Sequence, residues 1–314
     1  MQLKIRLIIV ICFCLALVGI TAAFKIDEAH TPSGSTTIIV NDTGIGSDSS
    51  LDPAFLDTGS GTVVKKAAGV IPGLTARAYI VGDAKTGAMY LEHNSTKSLP
   101  VASMSKLVTA FVATDMMSPT TTITIASSTL AAPPDASNLQ KDEQYSLDEL
   151  LRPLLLSSSN VAAEAISLSM GNRARFMDMM SSYAWEVGMP SSFFADPSGV
   201  SSLNAASARD LLQLARYLVN YRPDILAITR IQEMTIATTT VHGSHIVTST
   251  HPFVRDPRFI GGKTGRTTQA GETMMTILDM NGRSIVFVVL GSTFGSREND
   301  TRILMKEFEN KATH

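Results

Sequence analysis

The chain is almost free of cysteine. Its 314 residues include only Cys12 and Cys14, and both lie in the middle of one apolar run near the N-terminus. A cysteine that carries a lipid is expected at the end of such a run, so we interpret these two as small apolar side chains. The remainder of the chain has no cysteine to form a disulfide, and a packed core must stabilise it.

An excess of charge of either sign is also lacking. The 26 lysine and arginine residues nearly balance the 28 aspartate and glutamate residues, which leaves a formal net charge of -2. The chain shows no basic stripe, and this argues against a nucleic-acid partner. With 44% hydrophobic and 17% charged residues, the composition is typical of a globular protein with one large domain or two small ones.

Residues 1–24 have the pattern of a targeting segment. Lys4 and Arg6 precede an uncharged, mostly apolar run of 18 residues from Leu7 to Phe24. This pattern directs export, so we expect the bulk of the protein outside the cytoplasm, in the periplasm or cell envelope. The run is about the minimum length for a membrane span, which favours a retained anchor in the cytoplasmic membrane through residues 7–24. Cleavage after Thr21-Ala22-Ala23 is the alternative.

Residues 25–73 form a separate compositional zone. They are rich in Ser, Thr, Gly, Asp and Pro and show no sustained apolar period. Such a segment does not bury enough surface to offset its conformational entropy, and it is predicted to be a flexible linker. Residues 74–314 then form the folded domain.

Apolar patterning predicts strands at both ends of the folded domain and helices between them. The predicted strands cover residues 76–81, 88–92, 230–238, 244–248, 259–265, 272–278 and 284–291. The helices lie mainly between residues 107 and 219, with a last one at 297–311, and two of them begin at capping residues, Ser146 with Glu149 and Ser207 with Asp210. This order predicts an α+β fold: one antiparallel sheet, assembled from both ends of the domain and flanked by helices, with an inserted helical subdomain.

A serine and a lysine stand three residues apart at the start of the first predicted helix, Leu107 to Met117. Ser103 and Lys106 then share one helix face in the first turn, with the serine at the positive end of the helix dipole. Serine is a weak nucleophile until a base takes its proton, and Lys106 becomes that base if burial or a second cation lowers its pKa. An ordinary solvated helix start is the alternative for an isolated motif of this kind.

Two further motifs follow in order, Ser158-Ser159-Asn160 and Lys263-Thr264-Gly265. Copies that stand out of order, Lys85-Thr86-Gly87 and Ser202-Leu203-Asn204, are interpreted as a hairpin turn and a loop. The ordered trio resembles the penicillin-recognising serine peptidases, most closely the low-molecular-mass D-alanyl-D-alanine carboxypeptidases. The resemblance covers about residues 76 to 311 and includes the stretch Asp196-Pro197-Ser198-Gly199. It implies a serine β-lactamase/D,D-peptidase-like fold.

The resemblance implies a role for each residue of the first two motifs. Ser103 would attack the carbonyl of the terminal D-Ala-D-Ala bond, and Lys106 would accept its proton. Ser158 would relay a proton to the leaving amine. Asn160 would hold Lys106 and the substrate amide with one side chain that both donates and accepts. Carboxypeptidases of this group usually have glycine where this chain has Ser159.

The third motif is implied to bind the substrate. Lys263 would supply a positive field that favours a neutral base and, with Thr264, would bind the free carboxylate of the substrate. Gly265 would let the strand edge approach the substrate backbone. The backbone N–H groups of Ser103 and Arg266 would form the oxyanion hole.

No cofactor and no metal ion is implied. Four histidines of the folded domain show no tight metal-ligand spacing and are expected at the surface or in loops. They are His93, His242, His245 and His251.

The resemblance therefore implies a serine D,D-carboxypeptidase that removes the terminal D-alanine from peptidoglycan stem peptides and is inhibited covalently by β-lactams. Three alternatives stay open: a D,D-endopeptidase that cuts peptidoglycan cross-links, a β-lactamase, and a non-catalytic penicillin sensor or wall-binding module. Intact Ser103, Lys106 and Lys263 argue against the last of these. A class A β-lactamase needs a glutamate that activates water, and the only acid close behind the second motif is Glu164, in a helical run.

Overall fold

The computed structural model describes residues 71–312. The predicted anchor at residues 1–24 and all but the last three residues of the predicted linker lie outside this range, so both stay predictions. Among the described residues, no helix is long and apolar enough to cross a bilayer.

Residues 71–312 contain eleven strands and seven α-helices. The strands are β1 (Ala78–Asp83), β2 (Met89–His93), β3 (Leu99–Pro100), β4 (Thr122–Thr124), β5 (Gln144–Ser146), β6 (Ala205–Ala206), β7 (Glu233–Ile236), β8 (His245–Thr248), β9 (Phe259–Thr267), β10 (Gly271–Asp279) and β11 (Ser284–Ser292). The helices are α1 (Ser105–Met116), α2 (Leu147–Leu155), α3 (Asn160–Ser169), α4 (Arg173–Glu186), α5 (Ala208–Tyr221), α6 (Pro223–Thr229) and α7 (Arg297–Ala312). A 3₁₀ turn, Ala102–Met104, precedes α1.

The central sheet joins the two ends of the domain. Its strand order is β2-β1-β11-β10-β9, and all neighbouring strands are antiparallel. β1 pairs with β11 along its whole length, from Ala78 opposite Leu290 to Asp83 opposite Ile285. Side chains on both faces of these strands are buried, because one face packs on α5 and the other on α7. The predicted α+β fold, with its sheet assembled from both ends, is confirmed.

The helices α1 to α6 form the insertion between β2 and β9. A capping box begins α2, where Ser146 Oγ accepts from the Glu149 N–H at 3.2 Å and the Glu149 carboxylate accepts from the Ser146 N–H at 2.8 Å. Ser207 and Asp210 form a second capping box at α5. Both helices therefore begin where the capping residues predict.

One helix boundary differs from the prediction. Ser103 lies in the 3₁₀ turn just before α1, and not in the first turn of the α-helix. One further helix, α6, was not predicted, and it begins at Pro223. Proline suits that position, because its φ is already helical and its missing N–H needs no partner there.

Of the four histidines, His242 and His251 lie in loops as expected, whereas His93 and His245 lie on β2 and β8. Three of the four are nevertheless buried. His242, His245 and His251 expose 6%, 9% and 5% of their surface. Tyr145 accounts for the first two, since its ring stacks on His242 and its hydroxyl lies 2.7 Å from His245 Nε2. His251 Nε2 lies 3.0 Å from the Met275 carbonyl oxygen. In the described part of the chain, no group of three or more His, Cys, Asp or Glu residues is arranged to hold a metal ion.

Candidate active site

A tight turn presents the serine of the first motif. Ala102 has a positive φ of 50°, and the 3₁₀ turn that follows places Ser103 at the N-terminal end of α1. Gly199 packs directly on this turn, where an added Cβ would lie only 1.9 Å from the Ala102 carbonyl oxygen. Position 199 therefore requires glycine, because any side chain there would prevent the loop from packing on the Ala102 turn.

Lys106 is fully buried and points at the serine. Its Nζ lies 3.0 Å from Ser103 Oγ, 2.9 Å from Asn160 Oδ1 and 2.6 Å from the Ser198 carbonyl oxygen. The amide oxygen and the carbonyl only accept hydrogen bonds, whereas the serine hydroxyl also donates. A neutral Lys106 amine that donates its two hydrogens to Asn160 and Ser198 therefore directs its lone pair at the hydroxyl of Ser103.

The surroundings of Lys106 favour that neutral form near pH 7. Burial lowers the pKa of Lys106 to about 7, and the carboxylates of Asp196, Asp135 and Glu164 oppose burial by raising it. At the ordinary lysine pKa near 10.4 almost every amine would be protonated at neutral pH. With a pKa of about 7, a large fraction of Lys106 is able to accept a proton.

The second motif lies in the loop between α2 and α3. Ser158 has a positive φ of 64°, and its Oγ accepts a hydrogen bond from Lys263 Nζ at 2.9 Å. Ser159 has an ordinary φ of -59° and caps α3, where its Oγ accepts from the Ala162 N–H at 3.0 Å. The serine that replaces the family's usual glycine thus causes no backbone strain. Asn160 is the first residue of α3.

The third motif lies on β9, beside the turn that carries the serine. Lys263 is buried, and its Nζ also donates to the Thr264 carbonyl oxygen at 3.0 Å. Thr264 Oγ1 lies 2.8 Å from Thr250 Oγ1. An added Cβ at Gly265 would lie 2.9 Å from the Ser103 backbone nitrogen. This glycine therefore allows β9 to pass next to one N–H of the implied oxyanion hole, and Arg266, an exposed residue with the other N–H, follows it on the strand.

Arg297 is a residue of the site that sequence reasoning missed. It is the first residue of α7, and its Nη1 donates to the Gly265 carbonyl oxygen at 3.0 Å across 32 residues of chain. Burial, and then repulsion by Lys106 and by Arg297, lowers the pKa of Lys263 well below its ordinary value. No motif marks Arg297, because only the packing of α7 on the central sheet, against β10 and β11, brings it to the site.

The loop after α4 supplies the third partner of Lys106. The Asp196 carboxylate accepts hydrogen bonds from three backbone N–H groups, at 2.6 to 2.7 Å, those of Ser198, Gly199 and Ser201. Asn204, from the out-of-order copy of the second motif, donates through Nδ2 to the Asp196 carbonyl oxygen at 2.7 Å and to Ser105 Oγ at 2.9 Å. The copy is a loop as predicted, and its asparagine fixes the loop to α1.

A cavity of about 510 Å³ adjoins this loop, with Pro133, Val200, Glu164 and Arg173 in its lining. The two Glu164 carboxylate oxygens accept from Arg173 Nε and Nη2, each at 2.8 Å. Both oxygens are therefore engaged in an ion pair, an arrangement unlike that of a glutamate that activates a water molecule.

Comparison with known proteins agrees with the motifs. The model of peptidase family S11, D-alanyl-D-alanine carboxypeptidase, matches residues 64–293. A D-alanyl-D-alanine endopeptidase of Haemophilus influenzae is 32% identical over 209 residues, which cover 64% of this chain and 70% of that protein. A D-alanyl-D-alanine carboxypeptidase of Escherichia coli is 26% identical over 235 residues, which cover 70% of this chain but only 58% of that protein.

A solved structure shows the same fold and a ligand. Penicillin-binding protein D2 of Listeria monocytogenes, in its cefotaxime-bound form, superposes with a TM-score of 0.66 at 26% identity. The superposition covers 75% of this chain and 98% of that one.

Proposed function

The chain belongs to the D-alanyl-D-alanine carboxypeptidase family of serine peptidases, and we propose that it removes the terminal D-alanine from peptidoglycan stem peptides. The observation that carries the proposal is the buried Lys106 amine, 3.0 Å from Ser103 Oγ, with its other two contacts on oxygens that only accept. General-base activation of a serine needs this arrangement.

In the proposed reaction, Ser103 Oγ attacks the carbonyl carbon of the terminal D-Ala-D-Ala bond while its proton moves to Lys106 Nζ. The backbone N–H groups of Ser103 and Arg266 stabilise the oxyanion. The proton then passes to the amine of the departing D-alanine, with Ser158 as the relay, and an ester remains on Ser103. Water hydrolyses the ester, which releases the shortened peptide and restores the serine.

We assign the free carboxylate of the terminal D-alanine to the cationic end of β9. Lys263 and Thr264 lie on the strand, and Arg297 contacts its backbone at Gly265. Carboxylates form their strongest hydrogen bonds with cationic donors. Burial and the Arg297 cation disfavour the protonated form of Lys263, and the negative charge of a free peptide C-terminus favours it.

Mass spectrometry of purified wall peptides incubated with the full-length protein tests the proposal. We expect pentapeptide stems to lose one alanine and tetrapeptide stems to stay unchanged. The Ser103→Ala protein is the matched control and should leave both peptides intact. Unchanged pentapeptides with the parent protein would contradict the carboxypeptidase assignment.

A second candidate function is a D,D-endopeptidase, because the Haemophilus relative at 32% identity carries that name. Both reactions use the same nucleophile and base and differ in the leaving amine, which is free D-alanine in one and the amine of a cross-linked peptide in the other. Conversion of cross-linked dimers to monomers in the same incubation would assign this activity. If neither product forms, a penicillin sensor or wall-binding module remains.

We further propose that β-lactams acylate Ser103 and act as covalent inhibitors. Support comes from the cefotaxime-bound form of the similar Listeria protein. Labelling with a fluorescent penicillin, followed by peptide mapping, should find the label on Ser103 alone. Ser103→Ala should abolish the label, and Ser118→Ala, which changes an exposed serine after α1, should keep it. Label that survives in Ser103→Ala would reject the assignment.

The proposed place of action is outside the cytoplasm, with residues 7–24 as the anchor and residues 25–73 as the spacer. Support comes from the two cations before the apolar run. A flexible chain of the spacer's length has a root-mean-square span of about 40 Å, enough to separate the domain from the lipid surface. An N-terminal sequence of the exported protein that begins at Met1 would support the anchor, and one that begins near Phe24 would contradict it.

A further inference from the structure

A connecting segment outside the three motifs holds the second motif in place. Asp135 lies between β4 and β5, and its Oδ2 accepts hydrogen bonds from the backbone N–H groups of Asn160 at 2.6 Å and Val161 at 3.1 Å. These N–H groups belong to the first turn of α3 and have no partner within the helix. A carboxylate at this end of a helix also interacts favourably with the helix dipole.

The same segment fixes the side chain of Asn160. The Pro133 carbonyl oxygen accepts from Asn160 Nδ2 at 3.1 Å. Because the amide nitrogen is directed at this carbonyl, the amide oxygen faces the other way, where it lies 2.9 Å from Lys106 Nζ. The backbone and the side chain of Asn160 are therefore both held by residues two apart in one connection, Pro133 and Asp135.

The serine at position 159 belongs to this arrangement. Ser159 Oγ lies 3.0 Å from Asp135 Oδ2 and 2.9 Å from Ser137 Oγ, and the Ser137 N–H donates to Asp135 Oδ1 at 2.8 Å. Ser159 and Ser137 are both buried. A glycine at position 159 would remove the hydroxyl that joins these groups.

We propose that Asp135 is a positioning residue that orients Asn160 against Lys106 and contributes a negative charge to the site of the base. The inference rests on the proposed function, since it concerns the base of that reaction. Asp135 acts through Asn160 and Lys106 and has no assigned contact with the substrate.

The charge of Asp135 decides in which direction the pKa of Lys106 moves when Asp135 is replaced. Burial alone would raise the pKa of Asp135, but hydrogen bonds from Ser137, Val161 and Ser159 outweigh it and hold that pKa below its ordinary value. The carboxylate is therefore ionised at neutral pH.

Four charged groups act on or near Lys106. Asp196, Asp135 and Glu164 raise its pKa, and Lys263 is a second basic group whose own pKa Lys106 lowers. Removal of the Asp135 charge takes away one of the three opposing carboxylates. Loss of a well-placed Asn160 Oδ1 acts in the same direction, because that oxygen favours the protonated amine. Both changes lower the pKa of Lys106.

Asp135→Asn in the full-length protein tests the proposal. The measurement is the second-order rate of acylation by a fluorescent penicillin over a range of pH, with the final amount of label per chain. We expect acylation to be about 10- to 100-fold slower, because a misplaced Asn160 no longer orients the base. We also expect the acylation rate of the variant to rise at lower pH than that of the parent. The final amount of label should still be about one per chain.

Two variants separate charge from position. Asp135→Glu keeps the charge but displaces it, and it should slow acylation while it shifts the midpoint of the pH profile less than Asp135→Asn does. Asp142→Asn is the matched control, because Asp142 is an exposed acid of the same connection, 3.1 Å from Lys141 Nζ. It should change neither the rate nor the midpoint.

An Asp135→Asn rate within threefold of the parent would overturn the proposal, and so would a slower rate with an unmoved midpoint. If the asparagine variant does not fold, the glutamate variant decides, since its rate within threefold of the parent would also overturn the proposal. A parent protein that does not react with penicillin would reject the proposed function instead.

Discussion

The site has two sides, and each buries one lysine. The helical wall consists of α1, α3, the β4–β5 connection and the Asp196 loop, and it contains Lys106. The sheet wall consists of β9 and the start of α7, and it contains Lys263. Three carboxylates raise the pKa of Lys106, whereas the basic side chains of Lys106 and Arg297 lower the pKa of Lys263. The two lysines are equally buried but lie in fields of opposite sign.

This difference separates the two tasks of the proposed reaction. The carboxylates of the helical wall limit the effect of burial, so the pKa of Lys106 stays at about 7. A base with that pKa accepts and returns a proton near neutral pH. Burial and the Arg297 cation disfavour the protonated form of Lys263 until an anion arrives, and the C-terminal carboxylate of a peptide is such an anion. Each wall can therefore be disabled by itself.

The largest expected effect concerns the helical wall. Lys106→Ala should lower the rate of penicillin acylation by about 10³-fold, because removal of a general base costs 10²- to 10⁴-fold. Lys97→Ala removes an exposed lysine and should leave the rate unchanged. Acylation of the Lys106→Ala protein within threefold of the parent would show that another group serves as the base.

A smaller effect is expected on the sheet wall, and it should depend on the substrate. Lys263→Gln should reduce kcat/KM for a peptide with a free C-terminal carboxylate by about 10- to 100-fold, the range for a lost charged hydrogen bond. The same peptide with a C-terminal amide should be a poor substrate for both proteins. Lys263→Gln should therefore lose the parent's preference for the free carboxylate over the amide. Lys306→Gln, an exposed cation on α7, serves as the control. A preference retained in Lys263→Gln would contradict the assignment.

A change of pH across neutrality should change the acylation rate of the parent protein by about tenfold. The neutral fraction of Lys106 increases as the pH rises through its pKa of about 7. The second-order rate of penicillin acylation should therefore rise by roughly tenfold between pH 6 and pH 8. A midpoint near the ordinary lysine value of about 10.4 would mean that burial does not depress the pKa.

The smallest effect is expected at Glu164. Its ion pair with Arg173 leaves it unsuited to activate water, so Glu164→Gln should change the decay of the acyl-enzyme by less than about threefold. A chromogenic cephalosporin should give a burst of about one equivalent and then a slow phase, because the tethered leaving group blocks water. Sustained turnover at tens per second, typical of a working enzyme, would instead place the protein with the β-lactamases.

Local patterns explain why much of this was predictable. Ser103 and Lys106 meet because residues three apart at a helix start share a face, whatever the rest of the fold. The capping boxes at Ser146 and Ser207 satisfy N–H groups within one turn. The resemblance to penicillin-recognising serine peptidases rests on such local motifs, and the family match confirms it.

Contacts between segments far apart in the sequence explain why some residues of the site and of the core were not predicted. Asp135 reaches the N–H of Asn160 across 25 residues, and Arg297 reaches the carbonyl of Gly265 across 32 residues. Neither residue belongs to a motif. The buried histidines belong to the same class, since Tyr145 and His245 meet across 100 residues.

The sequence by itself determined the pair of Ser103 and Lys106, the order of the motifs, the capped helix starts and the strands at both ends of the domain, because each depends on residues close together in the chain. Only the tertiary structure decided that Lys106 is buried, that three carboxylates act on it and that its pKa falls to about 7. It also decided that the Ser198 carbonyl, 92 residues away, completes the contacts of the amine. The physical reason is that proton affinity depends on every charge, dipole and water molecule within a few ångströms, and packing brings those groups together from all parts of the chain.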